Sequence, residues 1–252
     1  MPSFSANLGF LWTDRPLADA IRAAKAAGFD AVECHWPYEQ PIEDVQAALK
    51  DTGLVMLGLN TVRGPLNAGM AALPDSVTEA RAAIDQAIEY GHAIGAQNVH
   101  VMAGQIEGSE AQKTYLANLS YASEQAAKRQ MGILIEPLNP YDMPGYFLRD
   151  TVHAVEILEQ LQRANVKLMF DCYHVGRAEG NVLARFDACF PYIGHIQFAS
   201  VPDRRAPDVG ELDFKQVFDH IDQSGWGHPL GAEYKVDGST EATLDWMRSL
   251  GA

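Results

Sequence analysis

The sequence is poor in cysteine, in positive charge and in long apolar runs, and each shortage excludes something. The three cysteines, Cys34, Cys172 and Cys189, are odd in number and show no Cys-x-x-Cys spacing. Neither a disulfide framework nor a zinc site is indicated, and a reducing cytoplasm fits. Lys and Arg total 19 against 33 Asp and Glu, a formal net charge of −14. Such a surface repels phosphate backbones, so nucleic acid is not an expected partner. A small anionic substrate stays open, because the local field in a pocket can oppose the global sign. No run reaches the roughly 18 uninterrupted apolar residues of a membrane span. The opening MPSFSANLGF has neither a basic region nor a long apolar stretch, so it does not read as a signal peptide. The first strand-like run leads into NLGFLWTDRP, without the glycine-rich turn that cradles a dinucleotide phosphate.

What is present is alternation. Short β-rich runs fall at 4–11, 30–35, 54–60, 98–104, 132–139, 166–174, 192–200 and 228–234. Ala-rich helical stretches fall at 17–27, 41–51, 76–94, 110–130, 151–163, 181–189, 214–223 and 240–249. Eight βα units in order predict an α/β fold with a parallel sheet closed into a single (β/α)₈ TIM barrel. The length of 252 residues matches the roughly 250 of such a barrel. No linker or composition break divides the chain, so one domain over 1–252 is expected. An open doubly wound sheet is the alternative architecture. Gly28, Gly53 and Gly95 stand just past helices, where a left-handed residue is often needed. Asp150 with Thr151, and Ser239 with Thr240, supply N-cap candidates. The longest aperiodic segments, 60–75, 138–150 and 201–212, all follow strands. They fall on the carboxyl face, where barrel enzymes keep their active sites.

Four apolar runs in the second half each end in one oxygen-bearing side chain: GILIEPLN at Glu136, VKLMFDCYH at Asp171, YIGHIQFAS at Gln197 and HPLGAEYK at Glu233. A carboxylate closing a buried strand is costly in an apolar setting. Any one of them has a bland alternative, capping the next helix or pairing with a lysine. Four on successive strands suggest convergence on a hard oxygen cage suited to Mg²⁺ or Mn²⁺.

Other residues gather around these four. His174, three residues past Asp171, would orient substrate or simply satisfy a helix start. Arg204 sits seven residues past Gln197, and its planar fork suits a substrate carboxylate. Arg205 beside it competes for that role. Asp142 would accept from a substrate hydroxyl or form an Asx turn. Asn60 and His100 are expected to line the pocket, with His35 and Trp36 after the second strand. His195 shares a strand face with Gln197. Met56, Met102 and Met169 read as barrel core.

On these residues the chain resembles the hydroxypyruvate isomerase family, within the wider superfamily of xylose-isomerase-like barrels that also holds ketose 3-epimerases and type 2 apurinic endonucleases. The resemblance runs through FSANLGFL, GFDAVECHWPYE, ILIEPLNPYDMPGYFL, FDCYH, IGHIQFA, GELDF and GAEYK. It implies a metal-assisted isomerase, an intramolecular oxidoreductase interconverting hydroxypyruvate and tartronate semialdehyde through an enediolate. It implies metal ligands at Glu136, Asp171, Gln197 and Glu233, with Glu136 and Glu233 also serving as the acid–base pair. It implies substrate contacts at His174 and Arg204, and a hydroxyl-binding carboxylate at Asp142. The expected partner is a small sugar acid or oxo-acid; barrels of this kind often pair, and by that analogy alone a homo-oligomer stays open. The alternatives are a 2-oxo-tetronate isomerase with the same residues and a ketose 3-epimerase. After the third strand the family commonly carries an Asp-Trp and a Glu-Arg pair. The stretch NTVRGPLNAGMAAL here lacks both.

Overall fold

In the computed structural model, which describes residues 2–250, the apolar runs become nine short parallel strands. They are β1 Phe4–Asn7, β2 Ala31–Glu33, β3 Val55–Met56, β4 Gly58–Asn60, β5 Asn98–His100, β6 Gly132–Ile135, β7 Val166–Asp171, β8 Ile193–Phe198 and β9 Leu230–Ala232. All join one sheet in the order β3-β2-β1-β9-β8-β7-β6-β5-β4. Its two ends are halves of a single stretch interrupted at Leu57. The Leu57 amide donates to the Val32 carbonyl at 2.7 Å, and the Leu57 carbonyl accepts from Asn98 Nδ2 at 2.9 Å. One residue therefore joins both edges and closes the barrel. Eight strand positions result, as the alternation predicts.

The helices form the outer layer: α1 Leu17–Ala27, α2 Ile42–Thr52, α3 Val77–Ile94, α4 Ser109–Ala127, α5 Thr151–Leu161, α6 Cys172–Ala178, α7 Val182–Cys189, α8 Phe214–Gln223 and α9 Trp246–Ser249. Each long helix buries one stripe. On α3 the buried residues are Ala80, Ala83, Ile84, Ala87, Ile88, Gly91 and Ile94, among others, at the three- and four-residue spacing of a helix face. Gly28, Gly53 and Gly95 all close their helices in the left-handed conformation, with φ of 97°, 68° and 73°. Asp150 caps α5 by accepting from the His153 amide at 2.8 Å. Ser239 makes no such cap.

The expected elements differ from the observed ones mainly at their ends. The run 98–104 is a strand only to His100. The run 166–174 stops at Asp171, whose Oδ1 accepts from the Tyr173 amide at 2.8 Å and starts an extra helix, α6. The stretch 240–249 is a 3₁₀ turn, Thr240–Thr243, followed by the short α9. What anchors α9 is Trp246, fully buried edge-on against Phe4 and Phe198, with its indole N–H donating to Tyr234 Oη at 3.2 Å.

Register aligns the strand ends that matter. Asn7 is level with Glu33, Asn60 with His100, and Asp171 with Gln197. Gln197 in turn is level with Gly231. The polar strand ends thus meet at the carboxyl mouth of the barrel, while Met56, Met102 and Met169 are buried core as expected.

Candidate active site

Strand ends on four neighbouring strands deliver the oxygen donors. Glu136 follows β6, Asp171 closes β7, Gln197 lies on β8 and Glu233 follows β9; they are 6%, 1%, 2% and 6% exposed. Pro137 ends β6 by lacking an N–H for the ladder. Three of these side chains carry a buried oxygen that accepts no hydrogen bond: Glu136 Oε1, Asp171 Oδ2 and Gln197 Oε1. A buried acceptor left unmade costs about 1–3 kcal/mol, and more when charged. Three such acceptors at one barrel mouth fit a hard divalent cation, which would relieve them together. One ligand atom each of Glu136, Asp171 and His174 lie within 4.8 Å of one another.

Crowding of carboxylates sets their protonation. Burial, with the charges of Glu233 and Asp171 adding to it, pushes the Glu136 carboxyl well above the usual range. Burial also raises Asp171, to about 7, against the pull of Arg204. Glu233 goes the other way. Burial opposes its ionisation, but Arg204 and His35 outweigh it and bring the carboxyl down to about 2.

Arg204 enters the site and Arg205 does not. Arg204 Nη2 lies 2.7 Å from Glu233 Oε1 and 3.6 Å from Asp171 Oδ2. Its guanidinium carbon sits 4.6 Å from the Phe10 ring centroid and 5.0 Å from that of Tyr173, a cation held between two aromatic faces. Its backbone φ of 56° is an uncommon conformation for a side-chain-bearing residue. The loop fixes that turn at both ends, from the Arg204 amide to the Ser200 carbonyl and from the Lys235 amide to the Arg204 carbonyl. Arg205 points to the surface and pairs with exposed Asp237.

His174, the third residue of α6, has a defined tautomer. Its Nδ1 receives the Asn139 backbone N–H at 3.0 Å. Burial, then the charge of Arg204, lowers its pKa to about 3, so the ring is neutral and its one proton is on Nε2. That Nε2 stands 3.7 Å from Asp171 and 3.9 Å from Glu136. A protonated nitrogen donates hydrogen bonds; it does not ligate a metal. The arrangement favours contact with a substrate oxygen. Asn139 also donates from Nδ2 to Asp142 Oδ2 at 3.1 Å, and Tyr173 Oη donates to the same oxygen at 2.7 Å. Asp142 also shares in a turn, its amide bonding to Asn139 Oδ1 at 3.0 Å. Its residue is exposed at the rim. His100 is buried with neither ring nitrogen bonded, 3.6 Å from Glu136 Oε2, and burial lowers its pKa to about 4. His35 Nε2 is 3.6 Å from Glu233 Oε1. Asn60 stands at the end of β4, its carbonyl bonded by Tyr38 Oη.

One buried carboxylate escaped the sequence reading. Glu33 closes β2, is 4% exposed, and bonds both His195 and Gln197. The signal was the same one that marked the other four, since Ala31-Val32-Glu33 is an apolar run ending in a carboxylate. The strand is only three residues long, too short for periodicity to draw attention to it.

With this geometry in place, comparison with known proteins decides the family. Residues 21–250 match the model of xylose isomerase-like TIM barrels. The chain belongs to that family. It is 39% identical to the 2-oxo-tetronate isomerase of Cupriavidus necator, over 98% of each chain. It is 36% identical to the "Putative hydroxypyruvate isomerase" of Danio rerio, over 97% of this chain and 94% of that one. The crystal structure of an AP endonuclease, family 2, from Brucella melitensis superposes with a TM-score of 0.94 at 33% identity, over 99% of each chain. Whole-chain relatives named isomerases give this xylose isomerase-like barrel its enzyme class, isomerase. No helix among the described residues is long and apolar enough to cross a membrane.

Proposed function

We propose that this isomerase acts on a small oxo-acid, moving a carbonyl from carbon 2 to carbon 3 of a 2-oxo-3-hydroxy acid. Hydroxypyruvate and tartronate semialdehyde are the simplest such pair. The observation that carries the reading is the set of three buried oxygens that accept no hydrogen bond, on Glu136, Asp171 and Gln197, ringed by a neutral His174 and a buried Arg204.

Glu136, Asp171, Gln197 and Glu233 would hold a divalent cation, Mg²⁺ or Mn²⁺ by their hard oxygen donors. Bound there, the cation supplies Lewis-acid polarisation of the substrate carbonyl. Glu136 and Glu233 form the acid–base pair: one removes the proton from carbon 3, the other returns a proton to carbon 2, and an enediolate lies between. Positioned acid–base groups contribute about 10²–10⁴-fold. His174 donates its Nε2 proton to the substrate carbonyl. Arg204 pairs with the substrate carboxylate, which takes over from Glu233 as its partner. Asp142 at the rim, and Asn60 and His100 level with each other at the ends of β4 and β5, complete the substrate contacts.

The whole-chain similarity to a protein named 2-oxo-tetronate isomerase supports a second reading, a substrate one carbon longer. The reacting centre is identical and only the group beyond carbon 3 differs. A ketose 3-epimerase would leave Arg204 without a carboxylate to bind. A DNA-cleaving role, which the name of the Brucella structure raises, is opposed by the net charge of −14. Three free cysteines support a reducing, cytoplasmic setting.

Proton NMR in D₂O tests the proposal, with hydroxypyruvate, a 2-oxo-tetronate and D-fructose supplied separately to the Mn²⁺- or Mg²⁺-loaded enzyme. Isomerisation of an oxo-acid, with deuterium at the newly protonated carbon, is the expected result. Turnover of the neutral ketose alone would overturn it.

A further inference from the structure

Glu33 has no part in the roles above, yet it grips the one uncharged oxygen donor of the site. Its Oε2 accepts from Gln197 Nε2 at 3.0 Å and from His195 Nε2 at 2.8 Å. The Ser5 hydroxyl reaches its Oε1 at 3.5 Å. Glu33, His195 and Gln197 are all at most 5% exposed, so water does not compete for these bonds.

An amide has two ends of nearly equal shape and opposite chemistry. Its oxygen can ligate a cation, whereas its NH₂ presents positive hydrogens. A glutamine free to turn would offer either end. Glu33 Oε2 takes the NH₂ end of Gln197, Nε2, and leaves Gln197 Oε1 pointing elsewhere. That Oε1 is the partnerless oxygen.

The barrel makes room for this contact. Gly231 lies level with both Ser5 and Gln197. A Cβ at Gly231 would fall 2.1 Å from Glu33 Oε1 and 2.9 Å from Gln197 Cγ. Only glycine lets Glu33 lean across from β2 to β8.

We infer that Glu33 is a positioning residue: it fixes which end of the Gln197 amide faces the cation, with His195 steering the carboxylate and Gly231 leaving its path open. The inference rests on the reading of Gln197 Oε1 as a metal ligand. Partners that orient a ligand typically change metal affinity 10–100-fold.

The test is Mn²⁺ affinity, read from the electron paramagnetic resonance signal of free Mn²⁺, for wild type, Glu33→Met, Gln197→Glu and the double variant. Glu33→Met, similar in size and with only a weak thioether acceptor in place of the carboxylate, is expected to weaken binding about tenfold or more in the wild-type background. In the Gln197→Glu background the loss should vanish or reverse. A carboxylate offers an oxygen whichever way it turns, and removing Glu33 there relieves a like-charge contact. Equal weakening in both backgrounds would mark Glu33 as merely structural and overturn the inference, as would unchanged affinity in the first. A second measurement needs no Glu33 variant and no metal. The side-chain NH₂ resonances of Gln197, identified by their absence in Gln197→Glu, should exchange slowly with solvent in the metal-free protein. Rapid exchange would overturn the positioning role, whereas slow exchange in a protein that takes up no Mn²⁺ would place the failure in the metal reading on which the inference rests.

Discussion

Arg204 and Glu233 form a buried ion pair, Nη2 to Oε1 at 2.7 Å, with Asp171 Oδ2 a further 3.6 Å from the same nitrogen. The guanidinium thus supplies the positive charge among carboxylates that a divalent cation would otherwise supply. Two consequences follow for Arg204→Ala. Removing one member of a buried pair leaves an uncompensated charge and costs about 3–5 kcal/mol. Urea denaturation of the metal-free protein should show a loss of that order. Mn²⁺ should then raise the melting temperature of the variant by more than it raises that of wild type, because the cation replaces the lost charge. An equal shift in the two proteins would mean that Arg204 does not compete for this space.

The same substitution separates substrates. Arg204→Ala should raise KM strongly for an oxo-acid and little for a neutral ketose, because only the acid brings a carboxylate for the guanidinium fork. Steady-state kinetics on both classes checks this. A matching rise for both would remove Arg204 from carboxylate recognition.

Glu136→Gln and Glu233→Gln keep side-chain shape while removing the ability to exchange a proton at the reacting carbons. Each should lower turnover by about 10²–10⁴-fold, with circular dichroism and melting behaviour that show an intact fold. Deuterium wash-in followed by proton NMR is the readout. Near wild-type exchange in either variant would remove that residue from the acid–base pair.

The barrel was legible in the sequence because eight apolar runs alternate with helical periodicity, and both signals survive averaging over many residues. Strand ends were not. Asp171 shows one cause: one carboxylate oxygen caps α6 at the Tyr173 amide, and the other makes no hydrogen bond and faces Arg204 and His174 in the site. The bland and the functional reading of that residue both hold, one for each oxygen. Glu136, Gln197 and Glu233 announced themselves as polar closures of apolar runs. The pairing of Arg204 with Glu233 did not, since it depends on a left-handed backbone turn in a loop. Glu33 stayed hidden behind a strand of three residues, and its bond to Gln197 spans 164 positions of chain.

Metal removal gives a test independent of any substitution. Prolonged treatment with EDTA should abolish isomerisation, and Mg²⁺ or Mn²⁺ should restore it, with one ion taken up per chain. The melting temperature should fall on removal and recover on addition, because a ligand bound only by the folded state stabilises it by mass action. Full activity after verified metal removal would leave the three oxygens without hydrogen bonds, on Glu136, Asp171 and Gln197, without the role given to them.

The cysteines offer a check on the packing itself. Cys34, Cys172 and Cys189 are free and buried. Burial raises the thiol pKa of all three, with the charge of Glu33 adding to it at Cys34 and that of Asp171 at Cys172. The thiolate is the reactive form. At Cys34 and Cys172 the rise is large enough that raising the pH from 7 to about 9, which ionises an ordinary thiol, leaves them protonated. A disulfide reagent added to the native protein should therefore find Cys34 and Cys172 almost unreactive across that range, and all three thiols reactive after unfolding in guanidinium. What slow reaction there is should follow the rate of local opening and not the ordinary thiol titration curve. Reaction of Cys34 or Cys172 within seconds in the native protein would show that β2 or the start of α6, beside Glu33 and Asp171, opens readily.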